Sequence, residues 1–195
     1  MAAVVESSEL DLSPFNITVI GRFNAHIVEP NWCAGVRIIP PGDFNVFMPV
    51  GGVSPVYQLH TGLGWIVQAD RLMVFGNKAE APQFLADLLN SLPHTPVTAA
   101  GVNFQRKMQA AFRPTDHACS LSQICSEEPV ESSESRTYLI EDSVKLTLKV
   151  TWTRTARTTD ANFHVDGDRE VIARHAGRIE EFERILKDME ARIKC

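Results

Sequence analysis

Cysteine is scarce: Cys33, Cys119, Cys125 and Cys195 are the four in the chain, and no two form a CxxC pair. A small secreted domain held by disulfides uses cysteine in a denser framework, so reduced thiols in a cytosol are the expected state. Long apolar runs are missing as well, and none approaches the ~18 residues that a membrane-spanning helix needs. The segment Met1 to Glu9 lacks the basic flank and apolar core of a secretory leader, which again points to a cytoplasmic location. Positive charge is in deficit, with 19 Lys and Arg against 24 Asp and Glu, a net of -5. Broad, nonspecific nucleic-acid binding depends on Lys and Arg density, so this balance argues against it while leaving room for a local basic strip. No Gly-rich phosphate loop, GxSxG elbow or HExxH helix occurs. The sequence therefore implies no cofactor and assigns no catalytic residue.

What is present suits one globular domain. A chain of 195 residues buries roughly 70% of the surface that its unfolded form exposes, enough to fold without a metal or disulfide. Residues 1–13 are small and polar and read as a mobile tail ahead of a single domain over 14–195. Phe15, Ile17 and Val19 alternate with Asn16 and Thr18, a half-buried strand that continues past Gly21 to Ile27. Trp32, Ala34, Val36 and Ile38 give a second alternating strand, Phe44 to Val50 a third, and Val56 to Gln68 and Arg71 to Phe75 two more. Gly62-Leu63-Gly64 falls inside the fourth and reads as a bulge. Pro82 suits a first helical turn, and Phe84, Leu85, Leu88, Leu89 and Leu92 form an apolar stripe that Pro93 ends. Val97 to Met108 returns to strand character.

Residues 113–136 are rich in serine, glutamate and chain breakers, and predict an exposed loop between halves 14–112 and 137–195. Beyond it, Val144, Leu146, Leu148, Val150 and Trp152 alternate with Lys145, Thr147, Lys149, Thr151 and Thr153 in the cleanest strand of the chain. Asn162 to Val165 predicts a short partner strand, and a helix follows from Asp168 to about Lys194. The expected fold is α+β, a mostly antiparallel sheet built from two similar strand-strand-helix halves with the helices on one face. The runs Trp65-Ile66-Val67, Asp70-Arg71-Leu72-Met73-Val74 and Gly101-Val102-Asn103-Phe104, with the helix at 80–92 and the closing helix carrying Phe182 and Leu186, resemble a sporadically distributed family of uncharacterised bacterial proteins. That resemblance implies a bacterial cytosolic α+β protein and transfers no functional residue.

Four constellations bear on function. Along the closing helix Ile172, Ile179, Leu186 and Ile193 fall seven apart, with His175, Phe182 and Met189 between them. This is the spacing of a coiled-coil seam, in which Ile179, Phe182, Leu186 and Met189 would meet another chain. Val171, Ala176 and Ile185 widen the stripe, which favours a core helix on the chain's own sheet. Lys145, Lys149, Arg154 and Arg157 make a basic strip that could track phosphates, although Lys and Thr are also ordinary on a solvated strand. His164, Asp166 and Asp168 have the alternation of a divalent-metal site, whereas an Asp at this point more simply caps the following helix. His117, Cys119 and Cys125 match no standard zinc spacing and would need a fourth ligand such as His94. The leading reading is a noncatalytic intracellular binding or assembly component, meeting itself or a larger partner through the closing helix or an open sheet edge. A metal-dependent hydrolase or nuclease and a nucleic-acid-binding subunit are the alternatives.

Overall fold

A computed structural model describes residues 4–5, 15–42, 44–48, 54–109, 131–141, 143–153 and 156–192. The chain is α+β. Its elements in order are β1 (Val4–Val5), β2 (Phe15–Gly21), α1 (Pro30–Gly35), β3 (Phe44–Phe47), β4 (Val56–Leu59), β5 (Gly64–Val67), β6 (Arg71–Phe75) and α2 (Ala81–Ser91). They continue with β7 (Val97–Gln109), β8 (Glu131–Glu141), β9 (Val144–Thr153), β10 (Ala156–Asp166), α3 (Arg169–Ala176) and α4 (Ile179–Arg192). The sheet order is β1-β3-β4-β5-β6-β2-β7-β10-β9-β8. Nine strands pair antiparallel, and β1 adds a two-residue parallel contact to β3.

Alternation along the strands decides which side chains meet. Ile17 lies between Val74 and Val102, Val102 beside Phe163, and Phe163 beside Leu146. All five are buried. Trp65 and Val74 are opposite one another further along the same row. The α2 stripe packs here through Phe84, whose ring centroid is 5.0 Å from Trp65. Phe182 of α4 stacks on Phe163 at 4.4 Å and 13°. His175 of α3 is buried beside Phe182, and its Nε2–H donates to the Phe163 carbonyl at 2.7 Å. The opposite parity carries Asn16, Asn103, Asn162, Thr147 and Thr137, one polar row across five adjacent strands.

Six expectations change. The alternating run Trp32–Ile38 is not a strand: Pro30 starts α1, and four alternating residues are too few to outweigh that start signal. A 6→1 bond from Ile38 N–H to the Cys33 carbonyl and a 5→2 bond from Arg37 N–H to Ala34 close the helix in a Schellman turn, with Arg37 at φ 64°. The fourth strand is two, because Leu59 and Leu63 pair across a tight turn in which Gly62 takes φ 86°. The Gly62 region is thus a hairpin turn rather than a bulge. Residues 131–136 belong to β8, not to a loop, while 110–130 lie outside the described residues. The strand partner expected at 162–165 is the end of the eleven-residue β10. The closing helix is interrupted at Gly177 and Arg178, where two backbone bonds end α3 and Phe182 N–H begins α4 on the Arg178 carbonyl. Of the tail, Val4–Val5 pairs with β3. The rest of residues 1–13 lies outside the described residues.

Candidate functional site

The stripe on α4 is folded onto the chain's own sheet. Phe182 and Leu186 are 0% exposed and Ile179 is 5% exposed. An intermolecular seam through these three would have to open the core, so the structure places them in packing rather than at a surface. The reason lies in α3 and α4 together: Ile172, His175, Ala176, Ile179, Phe182 and Leu186 form one broad buried stripe, wider than a two-residue seam. Met189 differs. It is half-buried, and with Ile185 it lines an apolar groove of about 610 Å³ between α4 and β8. Tyr138, Ile140 and Leu139 form the strand side, with Arg136 and Asp188 at the polar margin.

The strand beside this groove is the end of the sheet. At the opposite end β1 pairs with β3, whereas β8 has β9 on one flank and, among the described residues, no strand on the other. An unaccompanied strand leaves alternate N–H and C=O groups facing outward, a template for another strand. Residues 133–137 are exposed, and Leu139 is 68% exposed. Glu134 and Arg136 form an ion pair two residues apart, with both side chains largely in solvent. The neighbouring carboxylate raises the Arg136 pKa further, so the guanidinium stays charged. At the far end of β8, Arg178 bridges Glu141 (2.9 Å) and Glu181 (2.8 Å), lying 5.1 Å from the Phe182 ring centre. Both carboxylates raise the Arg178 pKa, and the start of α4 is thereby fixed to the end of β8.

The basic strip is divided by the sheet. Lys145 and Lys149 are exposed on the polar row's face, opposite His164 and Asp160 respectively. Lys145 Nζ lies 3.6 Å from Asp166, which offsets its charge. Arg157 pairs with Trp152 in the register and so has the opposite parity, and Arg154 lies outside the described residues. The proposed metal triad also separates. Asp168 caps α3, its Oδ1 accepting from the Glu170 and Val171 N–H groups at 3.1 Å each. His164 Nε2 lies 3.0 Å from Asp166, whose carboxyl is held below its ordinary pKa by that imidazole and by Lys145. No group of three His, Cys, Asp or Glu among the described residues is arranged for a metal. His94 is exposed, and His117, Cys119 and Cys125 lie outside the described residues. Cys33 is fully buried, and desolvation pushes its thiol up to about 12, the opposite of an activated nucleophile.

Two features escaped the sequence reading. Three side-chain amides form a chain on the polar face: Asn103 Nδ2 donates to Asn16 Oδ1 at 2.8 Å, and Asn162 Nδ2 to Asn103 Oδ1 at 2.5 Å. Gly101 leaves the room, since a Cβ there would meet Asn162 Nδ2 at 2.8 Å. The three asparagines sit at strand-interior positions where Asn is unfavoured, which is the signal that sequence offers. The second is the β8 edge itself, where Thr137-Tyr138-Leu139-Ile140 carries strand propensity but gives no sign of being an edge. No helix among the described residues is long and apolar enough to cross a membrane. No protein-family model matches the chain, and no curated protein matches it.

Proposed function

We propose that the protein is a noncatalytic binding or assembly component of a larger bacterial cytoplasmic complex, and that it meets its protein partner along β8 and the β8–α4 groove. The observation that carries this is an eleven-residue strand that, among the described residues, has no strand on one flank, set beside half-buried apolar side chains of α4. Strand addition supplies main-chain hydrogen bonds for affinity, and the adjoining groove supplies side-chain selectivity. The two-half organisation, with helices against one face, belongs to the same reading. It is supported by α2 packing on Trp65 and α4 on Phe163, which leaves the polar row away from those contacts. The buried Cys33 thiol and the capping role of Asp168 remove two routes to catalysis.

The test replaces Leu139 by Lys and Met189 by Glu together, since Leu139 is exposed on the β8 edge and Met189 is half-buried in the groove. The tagged protein is purified with its native associates, and stoichiometric partners are compared between the unaltered and altered chains. Loss of the partner with unchanged circular dichroism is expected. Equal recovery by both chains would place the contact elsewhere and overturn the reading.

A further inference from the structure

Resting on that reading, we infer that the strand accepted by β8 is the β8 of a second copy of this chain, antiparallel about a two-fold axis at Ser135. A two-fold contact is self-complementary, so each residue meets its own mirror in the register. Antiparallel pairing about an axis normal to the sheet keeps each side chain on its original face, and only registers centred on a residue are allowed. Cross-strand neighbours then lie about 4.5–5.5 Å apart at Cβ, close enough for opposite charges to attract and like charges to repel.

The charges on β8 select among those registers. Centring on Ser135 sets Glu134 opposite the partner's Arg136, and Arg136 opposite the partner's Glu134. On the other face Ser133 meets the partner's Thr137, two hydroxyl side chains. Centring on Glu134 or on Arg136 puts a charge opposite itself. Centring on Thr137 sets Arg136 opposite Tyr138 and Glu134 opposite Ile140, and centring on Tyr138 sets Arg136 opposite Ile140. Centring on Leu139 sets the axis where the β8–β9 register shifts, between Leu139 and Glu141. An irregularity there breaks the regular ladder at the point where symmetry needs it most. Among registers centred on a residue, the Ser135 register alone sets Glu134 opposite Arg136, and it leaves Glu131 opposite the partner's exposed Leu139.

The helix beside the strand fits the same axis. Arg178, just before α4, is bonded to Glu141 at one end of β8, while Asp188 and Met189 near its other end line the groove with Arg136. Helix α4 therefore runs antiparallel to β8, and its C-terminal end points toward Ser135. In the pair, the two C-terminal ends approach across the axis and bring Ile185 and Met189 of both copies to one side. The β8 flank that carries no strand among the described residues, the reciprocal charges and the half-buried apolar side chains are then used by one interface. The other end of the sheet, where β1 pairs with β3, stays outside it.

The experiment measures the mass of the purified full chain by light scattering and its dissociation constant by sedimentation. The unaltered protein is expected at twice 21.7 kDa. Glu134→Arg and Arg136→Glu, made singly, each turn two attractive pairs into two repulsive ones and should weaken the pair by about tenfold or more. The double exchange Glu134→Arg with Arg136→Glu restores opposite charges and should restore the pair. Both side chains are solvent-facing, so circular dichroism is expected to stay unchanged throughout. Ser135→Cys should form a reducible cross-link between copies, since this residue meets itself at the axis. A dimer insensitive to the charge changes, or no cross-link at Ser135, overturns this register. A lone chain at all concentrations overturns self-pairing. In that case a different partner that is lost on the Leu139→Lys, Met189→Glu exchange would leave the wider reading intact. Absence of any such partner would remove both.

Discussion

Phe182→Ala separates a core helix from an intermolecular seam. The ring is fully buried, stacked 4.4 Å from Phe163 and 4.8 Å from His175, and Arg178 lies over it. Truncating a buried Phe costs about 3–5 kcal/mol through lost transfer energy and the cavity left behind. The stacked pair adds about 0.5–1.5 kcal/mol beyond burial, which places Phe182 in the upper part of that range. With a urea dependence near ~2 kcal/mol per molar, the unfolding midpoint should fall by ~2 M. The thermal midpoint should fall by roughly 10–20 °C at ~2–4 °C per kcal/mol for a chain of this size. Chemical and thermal unfolding followed by circular dichroism measure both. A loss under about 1 kcal/mol, accompanied by dissociation of subunits, would refute the reasoning, because a ring that leaves the fold stable is not part of its core.

His175 is buried and burial lowers its pKa below 6.5, so the fold favours the neutral ring. Its contribution is complete above pH ~6.5 and is lost as pH falls toward the folded-state value, at up to ~1.4 kcal/mol per pH unit. His175→Gln should flatten that dependence in denaturant titrations between pH 7 and 5. An unchanged pH profile would show that His175 is solvated. Cys33, with its thiol pushed up to about 12, should resist alkylation at pH 8 until the chain unfolds; peptide mass mapping that found it labelled in the native protein would contradict its burial. Asp168→Ala should cost about 0.5–2 kcal/mol from the lost α3 cap and leave metal content unchanged. A fall in bound metal would revive the triad with His164 and Asp166.

The parts of the fold that were legible were those dictated by local period. Val144 to Val150 alternates without interruption, and β9 buries that set. The α2 stripe and the Asp168 cap are equally local. Trp32–Ile38 misled because an alternation of four residues is also compatible with one helical turn and its exit, and Pro30 with a C-terminal Schellman turn decides for the helix. The β8 segment misled for a different reason. Its first six residues are polar because it lies at the sheet end, and a polar edge strand resembles a loop in composition. Which strand ends the sheet is set by long-range order, with β2 entering between β6 and β7, and nothing local encodes it. The same holds for the basic strip, which looked continuous until register put Arg157 opposite Trp152.

The central claim is that β8 is the contact edge, and backbone hydrogen exchange over Glu131–Glu141 tests it most directly. The purified chain is labelled across a concentration series, alone and with its native partner fraction. Slower exchange in β8 as the assembly forms, with the buried amides of β10 unchanged, is the predicted result. Assembly that proceeds while β8 exchanges at the same rate would contradict it.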